Sequence, residues 1–240
     1  MDEINAYLPG LSSVENKELY ARFDVGRLSS DGGVLVLLEI EKRPGLASRL
    51  ACCLHDRREP TCTIHSYADM IVARLFAIAC GNEDRDDLDL LRFDPALELA
   101  CGHLSESGHD LMSQPTLSRL ENAPSWRELM RMGLSLIDLF CDSFGRVPER
   151  IVLDIDDTDD AVHGSQQLAQ FNAHYDDHCF QPIHIFEATA AKPVLSLLHP
   201  GKRSSGEEAA RVSVCACKPA LAISPSIGSA KLVNGRRRLC

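Results

Sequence analysis

A short apolar run, Ile151-Val152-Leu153, opens onto five aspartates within seven positions: Asp154, Asp156, Asp157, Asp159 and Asp160. The run reads as a buried strand. Neighbouring carboxylates repel one another unless protons or a cation neutralise them, and ligands of this all-oxygen kind suit a hard divalent ion. One or two aspartates after a strand commonly form a turn or cap the next helix; five exceed what a turn uses. If the strand continues into the cluster, alternation sets Asp154 and Asp156 on one face and Asp157 on the other.

Two chemistries fit such a strand. Asp154-Ile155-Asp156-Asp157-Thr158 matches the DxDxT nucleophile motif of haloacid-dehalogenase-like phosphatases, in which the first aspartate is phosphorylated and the second is an acid/base. That fold needs alternating helices and parallel strands, a later lysine and a further acidic pair. The segments after Asp160 read instead as two strands, 180–189 and 192–199, separated by Ala190-Ala191. Five short motifs also follow in order: LDIDDTDD from Leu153, HGSQ from His163, FNAHYD from Phe171, PIHIFEAT from Pro182, and LHPGKRSSGEEAA ending at Ala210. Together they resemble the catalytic core of bacterial insertion-sequence transposases of the DDE type, and the helical region from about Leu28 resembles that family's N-terminal part.

The resemblance implies an α+β protein in which a helical domain precedes the opening strands of an RNase H-like core. It implies cleavage and strand transfer of DNA by Mg2+ or Mn2+ ions held between carboxylates, with transposon ends and target DNA as partners. The catalytic and metal-binding aspartate of the first strand is assigned to Asp156, with Asp157 second and Asp154 third. Thr158 and His163 are supporting positions. Lys202 and Arg203, in the loop after Pro200-Gly201, are candidate phosphate contacts.

Upstream the pattern is helical. Ser30-Asp31 can cap a helix from near Gly33, Pro44-Gly45 breaks it, and Leu46 to Leu54 forms a second. Ile64, Tyr67, Ala68, Ile71, Leu75 and Ile78 fall at helical spacing over a segment 64–80, with Gly81 as its stop. Ser113-Gln114-Pro115 starts another helix, and Ser125-x-x-Glu128 is a capping box opening a long amphipathic helix toward Phe144. As a helix-turn-helix, this pair would offer Gln114, Thr116, Ser118 and Arg119 to DNA; as an ordinary hairpin, it packs on the core. The expected domains are an arm over 1–27, a helical domain over 28–148, a partial core over 149–210 and a basic tail over 211–240.

No apolar run reaches the ~20 residues that span a bilayer, and Met1 to Gly10 lacks the basic start of a secretory signal. The ten cysteines are scattered through apolar context, which suggests free thiols in a reducing, cytoplasmic setting. Cys52, Cys53, His55, Cys62 and His65 lack the paired spacing of a zinc site, and Cys215-x-Cys217 is too short for a knuckle.

The charge distribution divides the chain. Its formal net charge is −10, yet residues 211–240 hold six basic side chains and no acidic one. No carboxylate follows Glu208, although the family pattern requires a second aspartate and a glutamate farther on. An interrupted reading frame produces such a change, and so does a natural basic arm on DNA. The expectation is a transposase fragment inactive as written, binding its metal weakly. The alternative is a DNA-binding regulator acting as a homodimer or on the full-length enzyme.

Overall fold

The computed structural model describes residues 6–201, apart from 23–25, 107, 147, 149, 165 and 168. The basic tail, Lys202, Arg203 and the Cys215–Cys217 pair lie outside the described residues. The fold is α+β, with helices first and small antiparallel sheets after them. By contacts the chain divides into two units, Met1–Leu129 and Met130–Cys240.

The first unit opens with a two-residue pairing of β1 (Ala6–Tyr7) and β2 (Tyr20–Ala21), where the rings of Tyr7 and Tyr20 meet at 5.5 Å. Among the described residues the α-helices α1 (Val34–Glu41), α2 (Leu46–Cys52), α3 (Tyr67–Ala79), α4 (Leu88–Leu91), α5 (Pro95–Ala100) and α6 (Gln114–Asn122) follow. The connection between β1 and β2 is tied to α1 by Glu39. Its carboxylate accepts from the Ser12 N–H at 2.8 Å, the Ser12 hydroxyl at 3.0 Å and Lys42 Nζ at 2.9 Å. Those partners, Lys42 foremost, hold the Glu39 carboxyl at about 2, well below its ordinary 4.5.

One helix start and one helix cap differ from the pattern-based expectation. Ile64 is exposed and α3 begins at Tyr67, because Ser66 and Asp69 exchange side-chain and backbone hydrogen bonds in a full capping box. The first helix is joined to Asp31 through its backbone oxygen, which accepts from the Val34 N–H at 2.9 Å, and no side chain caps it. The stop at Gly81 is as expected. With φ at +89°, Gly81 donates to Ile78 O and Asn82 donates to Ala77 O, closing the last turn as a Schellman motif.

The boundary between the units falls inside α7 (Trp126–Asp142). Its first turn is held by Glu128, which is buried and accepts from the Ser125 N–H at 2.7 Å and the Ser125 hydroxyl at 2.6 Å. Later in the helix, Ile137, Phe140 and Cys141 lie at i, i+3, i+4, with Phe144 just beyond its end at i+7. They pack on Leu153, Ile183, Ile185, Val194 and Leu195. These residues come from a sheet of three antiparallel strands in the order β3 (Leu153–Asp157), β7 (Ile183–Glu187), β8 (Lys192–Leu197). Lys192 secures that sheet to the helix end, donating to Ser143 O at 3.0 Å and lying 4.2 Å over the Phe144 ring.

The expected strand 180–189 is β7, shortened to Ile183–Glu187, and Phe180 instead ends a strand of another sheet. β6 (Asp177–Phe180) lies between β4 (Asp160–Ala161) and β5 (Gln170–Asn172) in a second sheet. The chain changes sheets at Gln181-Pro182, where proline has no N–H for a ladder. Every described strand pair after Asp160 is antiparallel, so the parallel strand-helix-strand unit of a phosphatase has no support.

Candidate active site

β3 distributes the acidic cluster. Leu153 and Ile155 point into the core beneath α7, so Asp154 and Asp156 stand on the opposite, open face, as alternation requires. Asp154 is half-buried and Asp156 is exposed. Asp157 has the parity of the helix-covered face and is exposed at the strand's end, while Asp160 belongs to β4 in the other sheet. The five carboxylates therefore do not form one cluster. The structure brings Asp154 and Asp156 together and sets Asp157 apart from them.

The open face acquires its partners from β7 and β8. Register sets Asp154 opposite Phe186, Asp156 opposite His184, and His184 opposite Ser196. His184 is engaged at both ring nitrogens, with the Ser196 hydroxyl 2.9 Å from Nδ1 and the Thr158 hydroxyl 3.2 Å from Nε2. A hydroxyl can donate or accept, so both contacts hold whichever ring nitrogen carries the proton. This places Thr158, an expected supporting residue, in contact with a histidine that motif reading does not single out. His163 is exposed in the loop after β4.

Oδ1 of Asp156 accepts from the Asp157 N–H at 3.1 Å. Neither Asp154 nor Asp156 has a basic partner within ion-pair distance among the described residues. Their oxygens suit a hard cation in kind. They do not suffice in number, since among the described residues no three histidine, cysteine, aspartate or glutamate side chains converge as a metal site.

Two other motif residues are structural. Glu187 of PIHIFEAT is buried, and its carboxylate accepts from the N–H groups of Thr189 at 3.0 Å and Ala190 at 2.7 Å. It thereby closes a β7–β8 turn in which Ala191 has φ +52°. Burial acts to raise the Glu187 carboxyl, but the N–H groups of Ala190 and Thr189, helped by Lys192, outweigh it and leave it below its ordinary value. Asn172 of FNAHYD is also buried. Its Oδ1 accepts from the His174 N–H at 2.9 Å, while its Nδ2 donates to Gly201 O at 2.7 Å.

The upstream candidates lie in the first unit. Gln114, half-buried, donates its backbone N–H to Asp89 Oδ1 at 3.0 Å, and Arg119 is exposed on α6. Among the described residues no helix is long and apolar enough to cross a membrane.

The fold and the site define an α+β chain that presents paired aspartates on the open face of an antiparallel sheet. Residues 11–216 match the family model described as transposase DDE domain group 1. The chain belongs to that family, in agreement with its resemblance to insertion-sequence DDE transposases. No curated protein and no solved structure gives a significant match.

Proposed function

We propose that this chain binds transposon DNA and contributes the first carboxylates of a DDE centre, with Asp156 as the principal ligand and Asp154 beside it. The observation that carries this reading is the position of Asp156. It stands on the open face of β3, across from a histidine anchored at both nitrogens, while α7 covers the other face. The order β3-β7-β8, each strand antiparallel to the next, suits the opening of an RNase H-like sheet. A divalent cation held there would polarise a phosphodiester and stabilise the leaving oxygen. The protein's share is to fix both carboxylates on a rigid strand, which the cross-strand anchoring of His184 supports. Lys202 and Arg203 follow the docked Gly201 and act as phosphate contacts, with Gln114 and Arg119 on the helical domain over 28–148.

Residues 209–240 contain no carboxylate, so the 240-residue chain binds DNA without cutting it, alone as a homodimer or together with a full-length transposase. Incubating it with supercoiled plasmid and Mn2+ tests this. The expected result is a gel shift with no nicking, and Mn2+ binding that weakens in the Asp154→Ala, Asp156→Ala variant. Nicking that survives Asp156→Ala would overturn the assignment of the site, and nicking abolished by it would overturn the inactivity.

A further inference from the structure

In the first unit, a cleft of about 350 Å3 opens between the loop after α2, α3 and α6. Its walls hold Arg57, Arg58 and Arg119 against a single carboxylate, Glu128, in a chain whose net charge is −10. A local excess of this sign calls for an account.

Asp56 beside the cleft and Glu128 in its wall are already engaged. Asp56 holds Arg58 through two bonds, Nε to Oδ1 at 2.8 Å and Nη2 to Oδ2 at 2.5 Å, and the guanidinium lies 4.4 Å over the Tyr67 ring. Arg58 is therefore fixed as wall. Glu128 is buried and accepts from Ser125 and from the His55 N–H at 2.9 Å. Arg57 and Arg119 remain. Both are exposed, and neither has an ion-pair partner among the described residues. They reach the same cleft from different elements, the loop after α2 and the helix α6.

We propose that this cleft is a DNA-backbone site in which Arg57 and Arg119 each take a phosphate. The planar guanidinium fork matches phosphate oxygens, and two forks from separate elements can take separate phosphates along one strand. An acidic protein that binds a polyanion must confine the contact to a region of opposite sign, and the cleft supplies one. The inference rests on the proposal that the chain binds DNA and gives that binding a location.

The test is fluorescence anisotropy of a labelled duplex titrated with the full chain across a series of salt concentrations. The Arg57→Ala, Arg119→Ala variant should bind roughly tenfold more weakly or worse, with the slope of log affinity against log salt reduced by about two, one for each phosphate left without its arginine. Arg85→Ala removes one charge from the same unit outside the cleft and should leave the slope nearly unchanged. Both arginines are exposed, so circular dichroism should show the fold intact. An unchanged slope in the double variant, with DNA still bound, would overturn the cleft alone. An equal loss in Arg85→Ala would reduce the effect to general charge and overturn it too. Failure of the unaltered chain to bind duplex at low salt would overturn the DNA-binding proposal itself.

Discussion

Replacing Glu187 by alanine should destabilise the sheet that carries Asp156 without touching the aspartate. The buried carboxylate accepts from two turn N–H groups, at 3.0 and 2.7 Å. Hydrogen bonds to a charged group are worth about 1.5–3 kcal/mol each, and two on one carboxylate do not add fully, so the expected loss is roughly 2–4 kcal/mol. Glu187→Gln keeps one acceptor and turns an N–H donor toward the other amide, so it should recover less than half of that. Amide exchange resolves the effect locally. Protection at Thr189 and Ala190 should fall by about 30- to 1,000-fold in the alanine variant, the same energy expressed as a ratio. The sign with pH follows from the lowered carboxyl. Its contribution is present above the ordinary glutamate range and is lost as pH falls through the depressed value. If Glu187→Ala left exchange at these two amides unchanged at neutral pH, the account of the turn would be refuted.

Two further outcomes follow from other contacts. Gly201→Ala should lower the urea midpoint, corresponding to about 1–3 kcal/mol or more, because the added methyl is driven into the carbonyl oxygens of Cys179 and Gln170; an unchanged midpoint would contradict the docking of this segment. Glu39, held at about 2 against an ordinary 4.5, should give stability that is present above pH 4.5 and lost as pH falls toward 2. Acid titration of Glu39→Gln should therefore show a shallower decline over that window than the unaltered chain.

The parts of the site that lie in one stretch are legible, and those joined across the chain are not. Ile151-Val152-Leu153 announces the strand, and period two gives the shared face of Asp154 and Asp156. The break at Pro182 is readable in principle, since proline cannot continue a ladder, but the apolar residues Phe180, Ile183 and Ile185 on either side make the stretch look like one strand. His184 stands opposite Asp156 only through the register of β7 against β3, two strands separated by the whole second sheet, which no local pattern encodes. Asn172 and Gly201 stand 29 residues apart, so their pairing leaves no periodic signal. Arg57 carries no mark in the sequence because its cleft exists only when α3 and α6 come together with the loop that holds it. The helix start at Tyr67 escapes the pattern because apolar spacing extends to Ile64, whereas the exchange between Ser66 and Asp69 decides where the first turn closes.

The second sheet makes a closed excursion of the chain. Its two ends meet where the Thr158 N–H donates to Pro182 O at 3.2 Å. From inside it, Cys179 and Asn172 hold Gly201, and Phe180 pairs with Pro200. The hairpin is thus a buttress built out of the acidic strand's exit, and it bears on the segment that leads into Lys202-Arg203. Any change that lengthens or tilts the hairpin would shift the base from which those two cations depart, while the register of β3 against β7 stayed as it was. An edit to a turn of this second sheet would in this way move Gly201 while leaving the aspartates of β3 and their register untouched.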